Sequence, residues 1–294
     1  MVLIVKPGRR FRLRSRRLSR SLWGNILVFV FIVGFGALMM LPILYSVVTA
    51  FKPVNELFLF PPRFFVQNPT IDNFLSIMSI MNDSWVPFGR YIVNSVLVAG
   101  IGTTAYIFIA SLAAYPLAKH KFRGRNVYSR VIVWAILFRT EVTGVAVYII
   151  LAWLGLIDTY WSMILPTLAG SFGVFLMQQF MSAFPDTVLE AARIDGAGEW
   201  RIFWSVVMAS VKPGWITLII FTFQNFWNTL GTNYVYSDQM RLLPAVLSQI
   251  QGAGFARAGE AAAVALILML PPIVIFIFSQ SSVLETMAYS GIKE

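Results

Sequence analysis

Polar side chains are few in this chain, and their spacing matches no catalytic constellation. One histidine, His120, and no cysteine occur among the 294 residues. A metal site would need several such ligands, and a P-loop would need Gly-Lys-Ser/Thr to hold phosphates and Mg²⁺. No lysine here is followed by Ser or Thr. We therefore expect no catalytic residue, no metal site and no cofactor bound by this chain.

Neutral polar side chains recur at helical spacing in one apolar segment, and they suit hydrogen bonding to a solute. They are Thr222, Asn225, Asn228, Thr229 and Thr232. A polar stripe inside a membrane should face protein or water. Amides and hydroxyls, with Trp227 nearby, suit the hydroxyls and faces of a sugar, which predicts a substrate pathway. Hydrogen bonding between helices is the alternative.

Two charges interrupt another apolar segment, at Arg139 and Glu141. A charge at mid-span costs about 2.5–3.5 kcal/mol on insertion scales. Residues two apart do not face each other on a helix. The pattern therefore predicts a broken helix or separate partners, such as an ion pair with a second subunit. We also count both residues as candidate pathway residues, since Arg139 could bind an acidic sugar.

The elements that must position these residues are membrane spans. Apolar residues make up 58% of the chain and charged residues 12%, against about 25% charged in soluble domains. An all-α membrane protein with six transmembrane helices is expected, because six segments can cross about 30 Å of hydrocarbon. They are residues 23–48, 91–115, 127–153, 161–181, 215–232 and 261–280.

The cations lie mostly on one side of these spans. Of the 23 lysines and arginines, 17 fall on the side of both termini and five on the other. The positive-inside rule therefore predicts cytoplasmic termini. The spans divide the chain into a basic segment 1–22, a six-helix transmembrane domain 23–282 and a tail 283–294. The net charge of +10 then needs no nucleic acid, and the basic N-terminus can also meet anionic lipid headgroups.

Two loops on the opposite side, 51–89 and 233–257, are long enough to receive another protein. The first contains five prolines, which oppose a continuous helix. The second contains Gly252-Ala253-Gly254, which predicts a flexible turn. Docking of an external protein and an ordered structural cap are both compatible with this composition.

The loop 185–209 is a polar connection of about 25 residues between two apolar spans, and it carries both acidic and basic residues. Pro185 suits the first turn of a helix, and Gly196 suits the left-handed residue that ends one. Residues 199–207 read as a second short helix with Trp200, Phe203 and Trp204 on its apolar face. We expect a helix-turn-helix at the membrane surface that contacts a soluble partner. An amphipathic interfacial connection is the alternative.

Within this loop, Glu190-Ala191-Ala192-Arg193-Ile194-Asp195-Gly196 resembles the EAA motif of ATP-binding-cassette (ABC) importer permeases. Leu154–Thr159, Phe175–Phe180, Phe226-Trp227-Asn228 and Ser290-Gly291-Ile292-Lys293 are similar to the carbohydrate branch of that family, and specifically to its maltose-type second permease subunit. The likeness extends over most of the chain from Thr49. It departs from the family at Arg139-Thr140, where a proline usually precedes the glutamate, and at Met208-Ala209, where Leu-Pro is usual.

The resemblance implies the type I ABC importer permease fold and a multi-pass protein of a bacterial or archaeal inner membrane. It implies binding-protein-dependent import of a sugar or oligosaccharide. By position, the residues that would couple to the ATPase are Glu190, Ala191, Ala192, Asp195 and Gly196. The implied partners are a second homologous permease, a dimer of ATPase subunits that carries ATP and Mg²⁺, an external solute-binding protein and the bilayer.

Other functions remain open at this point. An ABC permease for another small solute would carry the same motif. A self-sufficient secondary transporter would need a complete ion site and often internal repeats, and the sequence has no clear repeat. A membrane enzyme would need paired carboxylates or histidine clusters.

Overall fold

The computed structural model describes residues 22–82, 86–137 and 140–290, and regular structure in these ranges is helical. This confirms the all-α prediction. The helices are α1 (Leu22–Ala50), α2 (Val54–Leu57), α3 (Asp72–Asn82), α4 (Phe88–Lys119), α5 (Arg125–Leu137), α6 (Thr140–Trp153), α7 (Tyr160–Leu168), α8 (Ser171–Ala183), α9 (Asp186–Ile194), α10 (Glu199–Ser210), α11 (Lys212–Trp227), α12 (Leu243–Gly252) and α13 (Ala258–Ser290). The middle of α10, Ile202–Val207, is π-helical.

Three of these helices, α1, α4 and α13, are long and apolar enough to cross a membrane. Two further spans are bent pairs, α7–α8 at 45° and α10–α11 at 77°. The remaining predicted span, residues 127–153, corresponds to α5 and α6, and residues 138 and 139 between them lie outside the described part. Helix α13 continues through Ser290, beyond the predicted end of the last span.

The chain divides into two units, residues up to Tyr45 and residues from Ser46 onward. The described part of the first unit, from residue 22, is the apolar helix α1 as far as Tyr45. The basic segment 1–21 lies outside the described residues. The second unit contains the hydrophobic core and every site considered below.

The core of the second unit consists of two clusters, and α4 contributes to both. Val98 and Ala99 of α4 pack with α7, α11, α12 and α13 in the first cluster. Ala110 and Ala114 of α4 pack with α8, α9 and α10 in the second. Small residues let α4 approach its neighbours closely. At Gly102 the approach is so close that a Cβ would lie 2.6 Å from the ring of Phe226.

Both bends occur where the backbone cannot continue a regular helix. Pro213 lies in the first turn of α11, where a proline is tolerated because the backbone N–H has no partner there. In the middle of a continuous helix the same proline would remove a hydrogen bond and break the helix. Gly170 precedes α8. The hydroxyl of Tyr106 fills that break, donating to the Gly170 carbonyl at 3.1 Å and accepting from the Gly173 amide at 2.8 Å. The hydroxyl thereby satisfies an amide that the helix start leaves without a partner.

Candidate coupling surface and polar pathway

Helix α9 ends in a glycine turn of the Schellman type. Gly196 has φ +78°. The amide of Ala197 donates to the carbonyl of Ala192 at 3.0 Å, and the amide of Gly196 donates to the carbonyl of Arg193 at 3.0 Å. These bonds satisfy the last helical carbonyls, and glycine adopts the required backbone without strain. The predicted left-handed conformation of Gly196 is confirmed, whereas Pro185 lies at the N-cap, just before the first turn.

One side chain anchors α9, and the motif residues around it face outward. Leu189 is 2% exposed and belongs to the same core cluster as Ile202 and Phe203 of α10. The predicted coupling residues divide into a half-buried Ala192 and an exposed set that comprises Glu190, Ala191, Asp195 and Gly196. The loop therefore presents small and acidic groups on a buried apolar base.

An apolar residue in this surface was missed by sequence reasoning. Ile194 lies between the anchor and the turn, and its side chain is 86% exposed. The signal that could have identified it is its offset from Leu189 by five positions, which points it away from the buried stripe of α9. Exposed large apolar groups beside charged ones are typical of contact surfaces.

The second helix of the loop is longer than predicted, Glu199–Ser210 instead of residues 199–207. Its aromatic rings contact one another, with centroids 5.1 Å apart for Phe203 and Trp204 and 6.2 Å apart for Trp200 and Trp204. Only Phe203 is buried, while both tryptophans are exposed. The predicted apolar face is therefore present, but two of its three rings remain on the surface.

The start of α9 is attached to the end of α4. Nζ of Lys119 lies 2.6 Å from Oδ1 of Asp186, and it also donates to the carbonyl of Phe184. The Lys119 side chain is 2% exposed, so the contact is shielded on the lysine side. The hydrogen bond from Lys119 is the main cause that lowers the pKa of the Asp186 carboxyl.

The far side of the glycine turn is attached to the same helix end through Glu199. Its Oε1 accepts from Nε of Arg193 at 2.8 Å, and its Oε2 accepts from the hydroxyl of Tyr115 at 2.8 Å. Nε2 of His120 lies 3.6 Å from Oε2. The bond to Glu199 raises the pKa of Arg193. The carboxylate of Glu199 thus joins α9, α10 and the end of α4.

The predicted polar stripe is shorter than its spacing suggested. Helix α11 ends at Trp227 and not at residue 232, so Asn228, Thr229 and Thr232 follow the helix. The chain turns there, because Asn228 is the C-cap and Gly231 has φ +69°. Thr222 is buried, Thr229 is half-buried, and Asn225 and Asn228 are exposed. Thr232 is exposed as well, so these two amides and the Thr232 hydroxyl are the neutral polar candidates accessible to a solute.

Trp227 does not face a pathway within this chain. It is 2% exposed, its ring stacks on Phe223 with centroids 5.5 Å apart, and its Nε1 donates to the carbonyl of Leu268 at 2.9 Å. The reason lies in α13, where Pro272 occupies the position whose N–H would otherwise bond the Leu268 carbonyl. The indole replaces that donor. Within this chain Trp227 is thus a packing residue, and its candidate role beside a sugar stays a prediction.

The charged pair of the third predicted span has only one member in the described part. Glu141 lies in the first turn of α6, and nothing is stated of its side chain. Arg139 lies outside the described residues. Their candidate roles in the pathway or in a subunit contact stay predictions.

The first long loop is an ordered cap around a buried carboxylate. Glu56 is 7% exposed and accepts from the amides of Gln67 at 3.0 Å and Asn68 at 2.9 Å. The amide side chain of Asn73 donates to the carbonyls of Ala50 and Lys52, both at 2.8 Å. Hydrogen bonding by the Gln67 amide lowers the pKa of Glu56, since it favours the ionised form.

The second long loop, which contains α12, is held over the start of α4. The side-chain amide of Asn94 donates to the carbonyls of Gln239 at 2.9 Å and Arg241 at 3.0 Å. Oδ1 of Asp158 accepts from the amides of Tyr236 at 3.0 Å and Ser237 at 2.9 Å. Of the glycine-rich stretch that predicted a flexible turn, Gly252 is the last residue of α12, and the turn follows at Ala253 and Gly254, where Gly254 has φ +82°. The described residues of both loops form ordered caps, and docking of an external protein stays a prediction.

Comparison with known proteins gives relatives over most of the chain. No family model matches. The chain is 28% identical over 285 residues to protein LplC of Bacillus subtilis (strain 168), covering 90% of this chain and 92% of LplC. It is 32% identical over 198 residues to the sn-glycerol-3-phosphate transport system permease protein UgpE of Yersinia pestis bv. Antiqua (strain Antiqua), covering 66% of this chain and 70% of UgpE.

A third relative and a solved structure extend the comparison. The arabinooligosaccharides transport system permease protein AraQ of Halalkalibacterium halodurans is 26% identical over 260 residues, covering 86% of this chain and 90% of AraQ. The fold matches a chain in the crystal structure of a bacterial ABC transporter involved in the import of the acidic polysaccharide alginate. The TM-score is 0.76 at 19% identity, covering 89% of this chain and 98% of that chain.

Proposed function

This chain belongs to the family of permease subunits of binding-protein-dependent ABC importers, and on that premise we propose how it works. It carries a sugar or oligosaccharide across the membrane by alternating access. Closure of separate ATPase subunits drives the change through the α9–α10 loop. The chain itself binds no nucleotide, and ATP and Mg²⁺ belong to the ATPase dimer.

One observation supports the coupling role most directly, the glycine-closed turn after α9. A rigid turn with exposed small and acidic residues can fit a groove of a partner, because Ala191 and Gly196 let a second backbone come close. Leu189 connects this surface to the core cluster that includes α4 and α8. A displacement of the loop must therefore move packed helices, which is the requirement for a two-state switch.

The proposed orientation follows from the charges. Both termini and the α9–α10 loop lie in the cytoplasm, where the ATPase subunits are, because most cations of the chain fall on that side. The ordered caps 51–82 and 228–257 then face outward, where a solute-binding protein would deliver its cargo. A second permease subunit completes the pathway.

The proposed substrate class rests on relatives and on two amides. AraQ is named for arabinooligosaccharides, and Asn225 and Asn228 are exposed neutral hydrogen-bonding groups at the C-terminal end of α11. A second candidate class is a small organic phosphate, because UgpE is named for sn-glycerol-3-phosphate.

Co-expression tests the proposal. The tagged chain is expressed with the candidate ATPase, second permease and binding protein, and recovered subunits are identified after purification in detergent. We expect the ATPase and the second permease to co-purify, and the complex in proteoliposomes to take up sugar only with ATP and the binding protein. Recovery of no ATPase, or uptake by the purified chain alone, would refute the proposal.

A further inference from the structure

The α9–α10 loop meets the end of α4 at two places, one on each side of the Gly196 turn. Before the turn, Lys119 binds Asp186 and the carbonyl of Phe184. After the turn, the hydroxyl of Tyr115 binds Glu199. Tyr115 and Lys119 are one helical turn apart on α4, so both contacts fall on the same short segment.

Each contact has features that distinguish it from an ordinary surface ion pair, which contributes about 0–1 kcal/mol. The Lys119 side chain is 2% exposed. Glu199 accepts from two donors on different helices, each at 2.8 Å. Arg193 lies on the α9 side of this carboxylate, so Glu199 also closes the loop across Gly196. Two attachment points fix the orientation of a short segment, which one point would leave free to rotate.

The other routes from the loop into the membrane are interrupted by bends. Helix α10 joins α11 through the 77° bend at Val211. Helix α8 leads to the 45° bend before Ser171. Helix α4 is one continuous helix over Phe88–Lys119 and contributes to both core clusters, as α11 does beyond its bend. Its last turn is further held by Arg125, whose Nε donates to the Leu117 carbonyl at 2.7 Å.

We propose that Tyr115, Lys119 and Glu199 are positioning residues that make the coupling loop and the end of α4 move as one body. Movement imposed on α9 then enters the membrane through α4. This inference rests on the proposed coupling function and names the residues that transmit it within this chain. None of the three needs to touch the ATPase or the substrate.

The test compares transport with ATP hydrolysis in the assembled importer in proteoliposomes. Tyr115→Phe removes one hydroxyl and keeps the ring contact with Phe203, whose centroid lies 5.4 Å away. Glu199→Gln removes the charge. We expect both variants to assemble and to hydrolyse ATP, but to transport about 2- to 10-fold less substrate per ATP, which is the effect of losing one or two hydrogen bonds.

The matched control is Tyr128→Phe, an exposed tyrosine in the neighbouring α5, which should leave the ratio unchanged. In the double variant Arg193→Glu with Glu199→Arg the two charges are exchanged. This variant should transport more substrate per ATP than either single variant does. An unchanged ratio in Tyr115→Phe and Glu199→Gln would overturn the inference. A loss of assembly and thermal stability with a normal amount of substrate transported per ATP would also overturn it, because residues that only pack would have this effect.

The proposed function and this inference fail differently. If the wild-type chain recovers no ATPase, the coupling function itself is wrong. If the wild type transports with ATP, and the Tyr115 and Glu199 variants transport the same amount of substrate per ATP, only the positioning role is wrong.

Discussion

Nε1 of Trp227 lies 2.9 Å from the carbonyl oxygen of Leu268, which Pro272 leaves without a donor in its own helix. At membrane depth no water can replace that donor. The contact therefore ties α11 to α13 where the last span carries Pro271-Pro272. Trp227 thus replaces one of the two hydrogen bonds that the prolyl pair removes from the last span.

Replacing Trp227 by Phe should destabilise the chain by about 1–3 kcal/mol, since the Leu268 carbonyl would be buried without a partner. Thermal unfolding of the detergent-purified complex measures this. Pro272→Ala restores a helical N–H, so Trp227→Phe should cost clearly less in that background. Trp153→Phe, at an 84% exposed position, is the control. Equal costs of Trp227→Phe in both backgrounds would contradict the role of Pro272.

Gly173→Ala should lower stability by about 1–3 kcal/mol through overpacking. A Cβ at this position would lie 2.5 Å from the ring of Tyr106, whose hydroxyl fills the break between α7 and α8. Gly144→Ala is the matched control, because a Cβ there meets nothing within 4 Å. Unfolding temperatures of the two variants separate the outcomes. A Gly173→Ala protein as stable as Gly144→Ala would show that the break adapts without this contact.

Gly196→Ala should cost about 1–2 kcal/mol locally, because an L-residue is strained in the left-handed conformation. We expect weaker ATPase recovery and reduced ATP-driven uptake, while the spans remain folded. Gly252→Ala, at an open position with no left-handed requirement, should behave as wild type. Full uptake by Gly196→Ala would mean that the turn is not needed in this conformation.

The cap around Glu56 should open in acid. Its pKa is lowered in the folded chain, so the ionised form contributes stability above the unfolded pKa, about 4.3, and this is lost as pH falls through the folded value. Amide hydrogen exchange at Gln67 and Asn68, corrected for intrinsic rates, should therefore accelerate below about pH 4. In Glu56→Gln the protection should no longer depend on pH in this range. Protection that is constant down to about pH 2.5, well below the pKa of a carboxyl in an unfolded chain, would exclude the carboxylate as its source.

Asn225→Leu and Asn228→Leu should reduce sugar uptake while subunit assembly is unchanged, because both amides are exposed in this chain. Thr222→Val is the comparison, since Thr222 is buried and its loss should act through packing. Uptake and the amount of assembled complex are measured in parallel. A proportional loss of both in the asparagine variants would favour helix–helix hydrogen bonding over a pathway role.

Local features were predictable from the sequence, and long-range ones were not. The start of α9, its glycine end and the second helix of the loop depend on residues within a few positions of each other. The spans follow from apolar length alone. In contrast, the role of Trp227 depends on a carbonyl 41 positions away, and the position of Lys119 depends on an aspartate 67 positions away.

The neutral stripe illustrates why periodicity misleads near the end of a helix. Thr222 to Thr232 keep helical spacing, but the chain leaves the helix at Asn228 and turns at Gly231. The glycine was visible in the sequence, and a helix commonly ends before such a residue. The roles assigned to Glu190, Ala191, Ala192, Asp195 and Gly196 stay predictions, although their exposure agrees with a contact surface.

The turn after α9 is closed by backbone amides, one glycine and the contact between Arg193 and Glu199, and within the described residues the side chains of Glu190 and Asp195 add no hydrogen bond to it. Selection can therefore exchange those side chains without unfolding the loop. A few surface substitutions would then let a duplicated transporter bind a different ATPase subunit. By the same means, closely related transporters would share one ATPase subunit or each bind only their own.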